Sequence, residues 1–84
     1  MNESEVLAKV KQYYKREFES LTMVLSSTYF DKHPVVTRRK YVLDRLHEFC
    51  TISMFVQDLG VAFNDINPVY EEYYEKLQNL LLTF

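Results

Sequence analysis

The sequence predicts an all-α fold, a three-helix antiparallel bundle running up, down and up, and three observations carry that expectation. Only 1 Gly and 2 Pro occur in 84 residues, too little turn punctuation for a multi-stranded sheet. Apolar residues recur at helical spacing through three long segments. The connections between these segments are short, which makes sequential helices antiparallel neighbours. The chain is expected to form one domain, 1–84, with helices over about 3–28, 36–60 and 67–83. At 48% hydrophobic and 26% charged it has a globular composition.

The first helix begins on Asn2 or Ser4. Asn2 with Glu5 three residues later has capping-box spacing, with Asn in place of the usual Ser or Thr. Val6, Leu7, Val10, Tyr13, Tyr14, Phe18, Leu21, Val24 and Leu25 then cover an arc of roughly 140° at 100° per residue. That helix is one-sided and ends near Ser26–Tyr29. Phe30 to Val36 reads as a connection, because Pro34 pushes His33 out of helical geometry. Thr37 is the expected cap of the second helix, with Pro34 at its first position as the rival start.

The second helix carries Val42, Leu43, Leu46, Phe49, Cys50, Ile52, Met54, Val56 and Leu59. These span roughly 220°, interrupted by Arg45, Ser53 and Gln57, so the helix needs cover on two sides and is expected to be the hub. The alternation of Cys50, Ile52, Met54 and Val56 also has a strand period. Helix wins because the 3.6 period continues back to Val42. Gly60 is the expected C-cap. For the third helix, Asn67 reads as N-cap and Pro68 as first helical residue, with Glu71, Glu72 and Glu75 near the positive end of the dipole. Ile66, Tyr70, Tyr73, Leu77, Leu80 and Phe84 form a heptad seam too short for an autonomous coiled coil.

The single cysteine, Cys50, has no internal disulfide partner. With no signal-like N-terminus, a reducing, cytoplasmic setting is expected. No apolar run approaches the ~18–20 residues of a membrane span. Asp44, His47 and Cys50 have spacings that invite a metal reading. Zinc needs ligands converging from several elements, however, and Cys50 falls in the apolar arc while His47 faces the polar side. Cys50 is therefore expected in the core. Ser26, Ser27 and His33 lie in no Gly-rich or strained turn, and no carboxylate pair faces a shared cleft. No catalytic, cofactor-binding or metal-ligating residue is assigned, and a non-enzymatic role is expected.

Net charge is −2, unevenly spread. Residues 1–31 carry 4 basic and 5 acidic groups (−1), residues 32–60 carry 5 and 3 (+2), and residues 61–84 carry 1 and 4 (−3). The basic patch Lys32, Arg38, Arg39 and Lys40, with His33, opposes the dipole of the helix it opens. It either pairs with the ends of the neighbouring helices or meets a partner, an acidic protein surface or, as the alternative, nucleic acid. Met23, Phe55 and Leu82 fall outside the buried arcs. With Tyr70 and Tyr74 they are the expected partner-binding anchors, for another protein or a second copy of the chain.

Overall fold

The computed structural model describes residues 2–26 and 35–84. It is a three-helix bundle, α1 (Glu3–Leu25), α2 (Val35–Asp58) and α3 (Phe63–Leu81), with no strand among the described residues. Cross-helix contacts fix the directions. Tyr13 meets Glu48 and Glu17 meets Arg45, so α1 and α2 are antiparallel; Arg39 meets Leu81 and Phe49 meets Tyr73, so α2 and α3 are too.

Local chemistry accounts for the helix ends. Asn2 caps α1, its Oδ1 accepting the Glu5 N–H at 2.8 Å. α1 closes at Leu25, and the proposed continuation to 27 and 28 lies outside the described residues, as do Lys32, His33 and Pro34. α2 is already helical at Val35, so Thr37 is its third residue and not its cap. Arg38, four residues before Val42 on the same stripe, is half-buried, so the turn that contains Thr37 already packs as helix.

At the other end of α2, Gly60 has φ +109°. The Gly60 N–H donates to the Gln57 carbonyl and the Val61 N–H to the Val56 carbonyl, both at 3.0 Å. That pair of bonds is a Schellman motif, and Val61 and Val56 supply its hydrophobic contact, both being buried. A Cβ at Gly60 would meet nothing within 4 Å, so only the backbone resists substitution. Gly60→Ala is expected to cost about 1–2 kcal/mol, measurable as a lowered denaturation midpoint with an unchanged helical spectrum.

The start of α3 corrects the sequence reading. Helix begins at Phe63 with Ala62 as its cap, placing Asn67 and Pro68 in the second turn. Burial explains the early start: Val61 and Ile66 are both in the core, and only a helix entered before Ile66 puts that residue on the stripe of Tyr73 and Leu77. The amide missing at Pro68 leaves the Asn64 carbonyl without its helical donor. Asn64 is exposed, so water can take that place.

The core is aromatic and draws on all three helices. Tyr14 stacks on Phe49 with centroids 4.2 Å apart, and Tyr73 meets Tyr14 and Phe49 edge-on at 5.6 and 6.1 Å. The Tyr14 hydroxyl donates to the Phe49 carbonyl at 2.6 Å, a bond that ties α1 to the middle of α2. Val10, Leu21, Val42, Val56, Ile66, Leu77 and Leu81 extend this core along the bundle. The α2–α3 interface is the most extensive, and α1 lies across both. Both neighbours pack on α2, as expected of the central helix, and α1 and α3 also meet each other to close the bundle.

Candidate functional site: an uncovered apolar face on α2 and α3

The apolar arc of α2 divides into two strips about one residue, or 100°, apart. Val42, Phe49 and Val56, spaced by seven, are buried. Leu43 and Cys50 follow one residue behind the first two, and both are exposed; Met54, four residues beyond Cys50, continues their strip. Cys50 is thus a surface residue, contrary to its expected place in the core. Ser53 is the converse correction: it interrupts the apolar pattern yet is buried, because it falls on the inner strip between Phe49 and Val56.

The outer strip of α2 adjoins aromatic residues of α3. The Tyr70 and Tyr74 rings lie 5.8 Å apart. Burial and then the neighbouring Cys50 sulfur push the Tyr70 hydroxyl above its ordinary pKa, which places Cys50 beside Tyr70. Leu43 is 43% exposed, Met54 61% and Tyr74 43%. These side chains make an aromatic and aliphatic face that the chain's own helices leave open.

The other expected anchors lie elsewhere. Phe55 is exposed, but it stands 100° around α2 from Met54, on the side that carries Ile52 and Leu59 toward α1. Met23 and Leu82 are exposed at the end of the bundle where α1 and α3 finish. Tyr70 and Tyr74 are brought together; Met23, Phe55 and Leu82 do not join them. Leu43, Cys50 and Met54 were missed as surface residues. The signal for them was the pair of seven-residue strips within one broad arc.

The α1–α2 face is built differently. A polar ladder crosses it: the Tyr13 hydroxyl donates to Glu48 at 2.7 Å, and Arg45 reaches Glu48 at 3.2 Å and Glu17 at 3.3 Å. On one side of the ladder Val6, Val10, Tyr13, Ile52 and Leu59, with Lys9, line an open recess of about 290 Å³. On the other, Leu21, Val24 and Tyr41 line one of about 180 Å³ with Glu17, Ser20 and Arg45. The smaller falls below the ~300–1,000 Å³ of ordinary small-molecule sites and the larger reaches only the lower edge of that range.

The ladder predicts a pH response. Its hydrogen bond to Glu48, then burial, push Tyr13 up to about 12 from the ordinary 10.0. Tyr14 and Tyr73 are raised as well, chiefly by burial. A raised tyrosine pKa favours the folded state while the hydroxyl is neutral, so this contribution is complete below about pH 10 and is lost between about pH 10 and 12. Stability should fall across that window, and Tyr13→Phe should make the fall shallower. Denaturation midpoints from about pH 9 to about pH 12 check it.

Of the basic patch, Arg39 donates to the Leu81 carbonyl at 3.4 Å, a cation at the negative end of the α3 dipole. Arg38 is half-buried and Lys40 exposed. Glu3 sits at the opposite end of the bundle, where its carboxylate accepts the Ala62 N–H at 3.4 Å and a hydrogen bond with Asp65 raises its pKa. Among the described residues no three His, Cys, Asp or Glu side chains stand close enough to hold a metal ion. No helix among them is long and apolar enough to cross a membrane. Compared with known protein families, curated proteins and solved structures, the chain matches none.

Proposed function

We propose that the protein is a non-enzymatic interaction module that binds another protein, or itself, by burying the α2–α3 face. The observation that supports this most is that Leu43, Met54 and Tyr74 remain exposed together on a bundle whose core is already complete without them. Scattered surface apolar residues need no account, whereas exposed aliphatic side chains on one strip of α2 that adjoins a pair of tyrosine rings have the composition of a docking surface. Tyr70 and Tyr74 are the anchors on α3, with Leu43 and Met54 opposite them on α2. A regulatory, adaptor- or inhibitor-like role in a reducing cytoplasm suits the single exposed thiol.

Nucleic-acid binding through Lys32, Arg38, Arg39 and Lys40 has weaker support. Arg39 already spends its charge on the end of α3, and Arg38 is half-buried. Tagged wild-type protein should retain a binding protein from its native host, or untagged copies of itself. Leu43→Asp with Met54→Asp should lose that retention, while Lys15→Asp, an exposed change on α1, should keep it. Equal retention by all three would contradict the proposal.

A further inference from the structure

We infer that the α2–α3 face docks on a second copy of itself, the two α2 helices lying antiparallel across a twofold axis that passes near Cys50. The inference rests on the preceding reading of that face as an interface and adds its occupant. Charge placement on α2 is what points there. Lys40 lies near the N-terminal end of the helix and Asp58 is its last residue; α2 has no acidic residue in its first turn and no basic one in its last. Asp58 thus stands at the end of the helix whose dipole opposes it, and Lys40, in the second turn, lies in the half that opposes its charge more weakly. An antiparallel copy reverses that relation, setting each Lys40 beside the C-terminal end of the opposite α2 and each Asp58 beside its N-terminal end.

The spacing makes the pairing mutual. Lys40 and Asp58 are eighteen residues apart in sequence, which is five helical turns, about 27 Å, and places them on one side of the helix. Their midpoint is residue 49. Leu43 and Met54 are centred at nearly the same level, between residues 48 and 49. A single axis at that level therefore matches Lys40 with Asp58 and Leu43 with Met54, each pair formed twice, as an isologous dimer requires. Lys40, Leu43, Cys50, Met54 and Asp58 are all exposed, so the strip is open to a partner along its length. In the same arrangement α3 lies over α3, adding the exposed Tyr74 to the buried area. That extends the contact beyond a single helix pair, toward the ~800 Å² per partner of a stable interface.

A short bis-maleimide is the suitable probe of Cys50, because it bridges thiols over a range of separations and does not require the narrow geometry of a disulfide. Sedimentation equilibrium of the full chain should give twice its 10.1 kDa mass, and the bis-maleimide should join two chains through Cys50. Lys40→Glu should weaken the dimer by roughly 3- to 30-fold, for two exposed ion pairs lost. Adding Asp58→Lys to it should restore the affinity. A dimer that Cys50 does not crosslink, or that the charge exchange does not rescue, would overturn the antiparallel geometry. A monomer at every concentration, with host-protein retention still abolished by Leu43→Asp with Met54→Asp, would overturn self-docking and leave the interaction face standing. A monomer with retention unaffected would remove both.

Discussion

Tyr14→Ala is expected to be among the most damaging single substitutions, lowering stability by about 3–5 kcal/mol. Tyr14 is fully buried, stacks on Phe49 at 4.2 Å and meets Tyr73 at 5.6 Å, so truncation opens a cavity where α1, α2 and α3 meet. A domain of this length has total stability of roughly 4–12 kcal/mol, so the loss takes a large share of it. Tyr14→Phe separates packing from hydrogen bonding. It keeps the ring and removes only the donor to the Phe49 carbonyl, costing about 1 kcal/mol. Urea denaturation followed by circular dichroism checks both. Equal losses for the two variants would mean that the hydroxyl, and not the ring, holds the helices together.

The second large effect is a dissociation of binding from stability. Leu43→Asp with Met54→Asp places two charges in the middle of the proposed interface, where an unpaired buried charge is strongly unfavourable. Complex formation should be abolished. The same substitutions should change the stability of the isolated bundle by no more than ~2 kcal/mol in total, because in the free protein Met54 is mostly in water and Leu43 is nearly half exposed. By contrast Val42, one residue before Leu43, is fully buried. Val42→Asp would bury an unpaired carboxylate and should unfold the bundle. Adjacent positions on one helix thus have opposite expected outcomes.

Much of the architecture was legible because helical periodicity and burial agree in α1 and α3. The α1 stripe of Val10, Tyr14 and Leu21 is buried as its spacing implies, and Ile66, Tyr73 and Leu77 are buried on α3. Gly60 ends α2 for the reason its lack of a Cβ suggests. The start of α3 was not legible, because Asn67–Pro68 carries the strongest local start signal while the tertiary requirement to bury Ile66 overrides it. Local signals act within one turn; burial acts across the whole bundle.

The face was harder to read for a related reason. A wheel projection reports that α2 is broadly apolar without saying which part its neighbours cover. α1 and α3 cover the strip of Val42, Phe49 and Val56, together with the buried Ser53, and leave Leu43, Cys50 and Met54 outside. Tyr70 and Tyr74 were recognisable as half-buried aromatics. Only the three-dimensional register joins them to the outer strip of α2 and separates them from Phe55, Met23 and Leu82. Likewise the basic cluster was visible as charge, but the Arg39 contact with the end of α3 depends on the antiparallel pairing.

In the proposed function the outer strip of α2 serves binding and not folding. That role is tested most directly by measuring denaturation free energy and complex formation on one preparation of the Leu43→Asp, Met54→Asp protein. At a protein concentration low enough that the wild type is also monomeric, the expected result is a stability within ~2 kcal/mol of wild type together with no complex at higher concentration or with a host partner. Intact complex formation, or a stability loss of several kcal/mol, would contradict it.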